Sequence, residues 1–306
     1  MKTSQIMSDH RHQAGFVSLI GMPNSGKSTL VNAMMGLKMS IVSPKPQTTR
    51  QRIFSIWNDE KFQIVFSDLP GWIDEEKYTM HHMMNRLIRD TEEDTDLLMV
   101  IYDPIQKSAF SGRLIDIINQ SNLPKLIVLN KADKLKPEAI IKHRQDLELL
   151  FDKSEIFVVS ALVGTGVEEL KSAIISHIPA HEAFYPKDYL SDKPVRFFIA
   201  ELIREQVLLC YEEEIPYSVF VEVEQCTGVD DEAELARIEA TMYVNRKSQI
   251  PIMLGKNGAK IKELGIKSRI EIEKYLGQRV YLGLSVKLKE NWRDDQKIIE
   301  GKGILR

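Results

Sequence analysis

Cysteine is nearly absent from this chain of 306 residues, which carries only Cys210 and Cys226. Two thiols without metal-type spacing offer neither a disulfide framework nor a zinc site, so they read as small buried apolar residues in a reducing compartment. Long apolar runs are missing as well. The longest, such as Leu97–Tyr102, have strand length and fall far short of the ~18 residues that cross a bilayer. The first residues hold Asp9 and the cluster His10-Arg11-His12 but no apolar core, which argues against a secretory leader. No sign of charge dominates, with 41 Lys and Arg against 44 Asp and Glu. What remains is a soluble intracellular chain long enough for about two domains.

Gly21-Met22-Pro23-Asn24-Ser25-Gly26-Lys27-Ser28-Thr29 is the most specific stretch present. It places G-x-x-x-x-G-K-S after the apolar run Phe16–Ile20 and before the helical pattern Leu30–Met35. A loop at that junction presents unpaired backbone N–H groups and the positive end of a helix to an anion. Gly21 and Gly26 let the backbone wrap a diphosphate, Lys27 reaches the terminal phosphates and Ser28 offers a hydroxyl to Mg²⁺. Asp68-Leu69-Pro70-Gly71 follows a second apolar run, Phe62–Phe66. There a carboxylate can hold Mg²⁺ through water and the Gly71 amide can sense a γ-phosphate. Asn130-Lys131-Ala132-Asp133 closes a third run, Leu126–Leu129. Asp133 can accept from guanine N1–H and the 2-amino group, donors that adenine lacks, so the pattern selects GTP over ATP. Val159-Ser160-Ala161 ends a fourth strand, Ile156–Val158, where a backbone amide can meet guanine O6. Four such elements at strand carboxyl ends specify a GTP-binding domain.

Charge is unevenly spread in the second half. Tyr211 to Ala240 holds ten acidic residues and one basic, whereas Asn245 to Arg293 holds twelve basic and four acidic. That asymmetry suggests an anionic partner for the latter segment. Within it Gly255-Lys256-Asn257-Gly258 precedes the helical pattern Ala259–Leu264. Such a G-x-x-G loop lets a sugar-phosphate backbone approach the main chain while Lys256, Lys260 and Lys262 neutralise phosphates. The flanks predict a helix over Val195 to Cys210, strands over Pro216 to Glu224 and Ala236 to Val244, further helices, and a strand over Val280 to Lys289. That α-β-β-α-α-β order is the type II KH arrangement.

With both halves read, the chain resembles the Era family of ribosome-associated GTPases over almost its whole length. The likeness rests on the phosphate loop, Gln47-Thr48-Thr49-Arg50, Asp68-Leu69-Pro70-Gly71, Asn130-Lys131-Ala132-Asp133, Pro216-Tyr217-Ser218-Val219 and Gly255–Ile261. It implies an α/β P-loop G domain, mostly parallel sheet between helices, over residues 1–180. A linker over 181–193 and an α+β type II KH domain over 194–306 would follow. It further implies a slow GTPase that binds the 3′ region of small-subunit (16S) ribosomal RNA and acts in maturation of that subunit, as a cytoplasmic monomer engaging pre-30S particles. The resemblance leaves peripheral membrane contact possible, although no amphipathic anchor is evident here. Leu69 stands where relatives usually carry Thr, and Ser25 where they usually carry Val. Neither is expected to supply an essential ligand group.

The hydrolytic machinery has a gap. Trp72 occupies the position after D-x-x-G where many GTPases place a water-orienting Gln. Asn24 is the candidate replacement, either helping to hold a K⁺ beside the leaving group or only shaping the loop by a hydrogen bond. Thr49 is expected to join Ser28 and Asp68 at Mg²⁺ and γ-phosphate, with Thr48 as the substitute, and Ile41 to Arg50 is expected to order with GTP. Lys27, Asn24 and Thr49 are therefore the catalytic candidates. Gly21, Ser25, Gly26, Thr29, Lys131, Ser160 and Ala161 join the nucleotide contacts, and Gly255, Asn257 and Gly258 the RNA contacts. His81 and His82 point to different sides of a helix and are not expected to share a metal. Glu212-Glu213-Glu214 reads as a solvated helix end. An RNA chaperone with a merely structural nucleotide site, and a G domain serving RNA-modifying chemistry, are the rival functions. Measurable GTP turnover excludes the first, and the second lacks a further catalytic centre.

Overall fold

The structure, a computed structural model, describes residues 12–106, 110–229, 235–301 and 304. Asp9 and part of the acidic tract, 230–234, lie outside the described residues. The chain runs β1 (Gln13–Gly21), α1 (Lys27–Met35), β2 (Ile53–Asn58), β3 (Phe62–Asp68), α2 (Thr79–Arg89), β4 (Leu97–Tyr102), α3 (Gly112–Gln120), β5 (Lys125–Leu129), α4 (Pro137–Leu150), β6 (Glu155–Val158) and α5 (Val167–His177). It continues with α6 (Val195–Cys210), α7 (Ile215–Ser218), β7 (Val219–Thr227), β8 (Ala236–Val244), α8 (Gln249–Leu254), α9 (Ala259–Leu276), β9 (Val280–Leu288) and α10 (Gln296–Gly301).

The first sheet has the order β2-β3-β1-β4-β5-β6. Five strands are parallel and β2 is antiparallel to β3. Its inner strands are apolar on both faces because helices cover both. On one side Val17, Leu19 and Met99 pack with Leu30, Val31 and Leu170 of α1 and α5. On the other Ile20 and Val100 meet Ile88, Leu114 and Leu147 of α2, α3 and α4. Each such buried side chain contributes about 1.5–3 kcal/mol. The reversal of strand order around β1 opens a crevice at the strand carboxyl ends, where ligands of open α/β sheets bind.

The second sheet has the order β7-β8-β9, with β7 and β8 antiparallel and β8 and β9 parallel. Ile199, Leu202, Ile203 and Val207 fall on one stripe of α6 and pack with Val219 and Met242 of the sheet and Leu264 and Ile272 of α9. The strand expected from Pro216 begins instead at Val219, because Ile215–Ser218 forms a helical turn with Pro216 in its first positions, where the missing N–H costs nothing.

The tract 181–193 adheres to the first sheet. Ile56 N donates to Leu190 O (2.9 Å), Asn58 Nδ2 to Tyr189 O (2.9 Å), and Gln63 Nε2 to Tyr185 O (2.8 Å). A further cluster joins Met80 and Met84 of α2 to Phe220, Trp292 and Ile299. No helix among the described residues is long and apolar enough to cross a membrane.

Candidate nucleotide site and nucleic-acid groove

Gly26 opens α1 at φ 95°, and a Cβ there would lie 2.2 Å from Asn130 Nδ2. Any other residue would be strained twice over, by its backbone and by that contact. Lys27 is 5 % exposed, and its ammonium donates to Gly21 O (3.1 Å) and Met22 O (3.0 Å). Burial pulls its pKa down to about 8, against an opposing pull from Asp68. Ser28 Oγ donates to Asp68 Oδ2 (2.7 Å) and lies 2.9 Å from Thr49 Oγ1. Asp68 Oδ1 is buried without a hydrogen-bond partner, and burial raises this carboxyl's pKa despite the Ser28 hydrogen bond and the Lys27 charge. Three converging side chains with four oxygens, the orphaned Asp68 Oδ1 among them, make a donor set that fits a hard divalent cation such as Mg²⁺. Thr48 turns away, with Oγ1 donating to Lys45 O (2.7 Å) and 2.8 Å from Ser43 Oγ.

The other end of the cleft is built from the loops after β4, β5 and β6. Asn130 donates from Nδ2 to Ser25 O (2.9 Å) and accepts the Ala161 amide at Oδ1 (3.0 Å). Lys131, at φ 58°, bonds Asn24 O (2.8 Å) and Asp103 Oδ2 (2.5 Å). Ser160 Oγ donates to Asp133 Oδ1 (2.5 Å), which fixes this carboxylate. The amides expected to meet guanine O6 are engaged: Ser160 N with Thr165 O (2.9 Å) and Ala161 N with Asn130. Ser160 thus acts here through its hydroxyl, and a base oxygen at Ala161 would share that amide's hydrogen with Asn130. Asp103 and Gln106, the latter donating to Pro23 O (2.7 Å), escaped the sequence reading. Their signal was position, just past the carboxyl end of β4.

These loops enclose a cavity of about 740 Å³ lined by Asn24, Gly26 to Thr29, Thr48, Thr49, Gly71, Asp103 and Lys131. Gly71 abuts the phosphate loop, since a Cβ there would come within 2.5 Å of the Pro23 backbone. Trp72 N donates to Gly21 O (3.2 Å). The Trp72 indole is buried and donates to Asp74 Oδ1 (2.8 Å), so it offers nothing to a nucleophilic water. Asn24 donates from Nδ2 to Pro44 O (2.8 Å), tying the loop to the segment 41–50. His81 faces inward, accepting the Lys77 amide at Nδ1 (3.1 Å) with Nε2 3.0 Å from Gln47 Nε2, while His82 faces outward beside Glu76. The accepting Nδ1 puts the proton of a neutral ring on Nε2, which pairs with Gln47 only when that amide turns its oxygen rather than its nitrogen toward the ring.

Segment 41–50 is held from the far side by the second module. Arg50 donates to Val219 O (2.7 Å), Pro216 O (3.1 Å) and Tyr217 O (3.3 Å). Its guanidinium sits 5.6 Å from the Trp292 ring centre. Arg204 of α6 bonds Thr48 O, Lys45 bonds Tyr211 O, and Glu205 accepts the Val42 amide (3.0 Å). None of these partners was identified from sequence, because no local pattern shows which carbonyls a distant Arg will meet.

In the second module Gly255, Asn257 and Gly258 take φ 70°, 54° and 75°, which turns α8 sharply into α9. A Cβ at Gly258 would meet nothing within 4 Å, so this backbone is open to an approaching strand. Between α9 and β9 lies a groove of about 570 Å³ with Ile261, Ile266 and Leu282 in its walls and Lys262, Arg269, Arg279 and Tyr281 at its edges. Lys256, Asn257, Lys260 and Lys262 are exposed, and the Lys260 ammonium lies 5.8 Å from the Tyr211 ring. Arg269 follows Lys262 two helical turns later on the same face, a spacing that was readable but unread.

The description "50S ribosome-binding GTPase" matches residues 16–131, and "KH domain" matches residues 214–293. The GTPase Era of Elusimicrobium minutum is 37 % identical over 98 % of this chain and 99 % of its own. Chloroplastic GTPase ERA1 of Zea mays is 38 % identical over 95 % of this chain and 70 % of its own. The crystal structure of Era in complex with MgGDPNP and nucleotides 1506–1542 of 16S ribosomal RNA is similar with a TM-score of 0.89 and 32 % identity, covering 96 % of this chain and all of that one. An alanine variant of Aquifex aeolicus Era bound to GDP·AlF₄⁻ gives 0.89 and 31 % over the same shares. With a P-loop G module and a KH module in one chain and relatives matched end to end, the chain belongs to the Era family of GTPases.

Proposed function

We propose that this chain is a GTP-hydrolysing switch that binds the 3′ region of 16S ribosomal RNA through its KH groove and acts in small-subunit biogenesis. The observation that carries this reading is the likeness, at TM-score 0.89, to an Era structure holding both a magnesium-bound GTP analogue and 16S nucleotides. The RNA in that complex favours the small subunit, although the description matched by the G module names the 50S particle. Residues 1–180, 181–193 and 194–306 serve as G domain, linker and KH domain.

In the proposed mechanism Asp133, held by Ser160, selects guanine. Lys27 and the amides of Gly26 to Thr29 bind the phosphates, and Ser28, Thr49 and Asp68 hold Mg²⁺. That ion neutralises charge on the phosphate oxygens when bound. Lys27 stabilises charge as a water attacks the γ-phosphorus in line; the bond to the β–γ bridging oxygen breaks, GDP leaves with that electron pair, and the water's proton passes to the released phosphate. Asn24 would help to hold a K⁺, which would supply positive charge to stabilise the leaving group. Segment 41–50 reorganises with nucleotide state and, through Arg50, biases the KH module. Lys256, Asn257, Gly258 and Lys262 meet the RNA backbone, Gly255 sets the loop, and Lys260 contributes charge. The protein works as a cytoplasmic monomer on pre-30S particles, with weak peripheral membrane contact. Crosslinking to cellular RNA tests the assignment: contacts mapping to the 16S 3′ region sustain it, and contacts confined to other RNAs overturn it.

A further inference from the structure

A second cavity, of about 430 Å³, lies between the two modules and away from the phosphate loop. Arg50, Arg204, Lys193 and Arg196 contribute positive groups to its lining, and Glu201 and Glu222 the negative ones. Glu201 is engaged with Arg204, whose Nε donates to its Oε1 (2.7 Å). Arg50 and Arg204 are each only 3 % exposed. Among the described residues, Arg50 Nε and Arg204 Nη1 are buried donors without a hydrogen-bond partner. Two guanidinium groups each leaving a buried N–H unsatisfied is a costly arrangement, worth more than an ordinary orphan because the groups are charged.

A third feature bears on the same place. Lys193, Pro194, Arg196 and Phe197 bring the start of α6 to the cavity, and that 16-residue helix has no side-chain cap and no acidic residue in its first turn. The Phe197 amide already donates to Pro194 O (2.9 Å), so the amides of Val195 and Arg196 and the positive helix end are what add to the guanidinium groups. Burial first, then repulsion from Arg204 and Arg293, brings the Arg50 pKa down to about 9, with Glu201 pulling the other way.

We propose that this interdomain cavity binds the phosphate group of a small ligand, through Arg50 Nε, Arg204 Nη1 and the uncapped first turn of α6. With their forks already engaged, the two guanidinium groups offer one free nitrogen each, and two separated donors suit the several oxygens of a tetrahedral oxyanion better than a spherical halide. The volume falls in the range of small-molecule sites, and Phe197 and Phe220 in the lining leave an apolar wall for an organic body. Because Arg50 adjoins Thr49 and Arg204 holds the Thr48 carbonyl, an occupant pulls on the segment that borders the nucleotide cleft.

The test uses the full chain saturated with GDP, so that the phosphate loop is filled, titrated calorimetrically with inorganic phosphate and separately with AMP. One-site saturable binding is expected. It should weaken about tenfold or more in Arg196→Gln, an exposed position, and in the paired variant Glu201→Gln/Arg204→Gln, which removes both partners of the buried ion pair. Tighter AMP than phosphate names an organic phosphate as occupant, and equal affinity names the free anion; either sustains the site. No saturation up to about 10 mM, or unchanged affinity in a folded Arg196→Gln and in the paired variant, overturns the proposal.

Discussion

Arg50 reaches across 2.7 Å to the carbonyl of Val219, joining the residue after Thr49 to the first strand of the KH sheet. One residue therefore separates the oxygen cluster around Asp68 from the core of the other module. Arg50→Ala removes three hydrogen bonds from a buried cation and should cost about 2–4 kcal/mol in urea unfolding. It should also bring RNA affinities in GTP-analogue and GDP states to the same value. A nucleotide effect on RNA binding that survives the substitution would reduce Arg50 to a structural tie.

Asp133→Asn replaces an acceptor of two guanine donors by an amide. GTP affinity should fall about a hundredfold, and xanthosine triphosphate, whose 2-oxo group accepts where guanine donates, should become the better ligand. Unchanged GTP affinity by fluorescence titration would sink the assignment.

Burial lowers Lys27 to about pKa 8, and a bound triphosphate favours the ammonium. The free protein thus loses this proton as pH rises through about 8 while the complex keeps it, so binding takes up a proton above that pH. Affinity should decline by up to about tenfold per pH unit there. Calorimetry at pH 7 and 9 in buffers of different ionisation heat reads the uptake directly. Equal uptake at both values contradicts it. The sign for the apo fold is also set: its stability should rise between pH 8 and 10.5, where the unfolded Lys27 binds more protons.

If Asn24 helps to hold K⁺, turnover should be faster in K⁺ than in Na⁺ at equal ionic strength, and Asn24→Ala should erase the difference. The bond to Pro44 gives the competing outcome. Identical rates in both salts would leave Asn24 a loop-shaping residue.

Gly258→Asp places a carboxylate in the open side of the G-x-x-G turn and should abolish RNA binding while sparing GTP. Lys262→Gln should flatten the dependence of log affinity on log salt by about 0.7, the value for one single-strand phosphate contact. An unaltered slope would place Lys262 outside the RNA path.

Much of this architecture was legible because the informative groups are local. The four loops at strand ends, the strand Leu97–Tyr102, the helix Val195–Cys210 and the strand Ala236–Val244 are carried by apolar periodicity and glycine spacing. β2 (Ile53–Asn58) escaped notice because Phe54, Ile56 and Trp57 alternate poorly and its pairing is set by β3. Asp103, Arg204 and Glu205 were invisible for a different reason. Their roles are contacts with residues far along the chain, and a buried ion pair leaves no periodic trace. The preference for Thr49 over Thr48 likewise depended on which hydroxyl the backbone turns toward Ser28.

The tract 181–193 is pinned to the outer strand of the G module by Leu190 and Tyr189 and to the neighbouring β3 by Tyr185. It covers the one antiparallel edge of that sheet, denying it to strand addition by another molecule. It also leaves little slack before α6. With Ser191 bridged to Ser55 of the same strand, the start of α6 at Val195 is held within a few residues of the G-module edge.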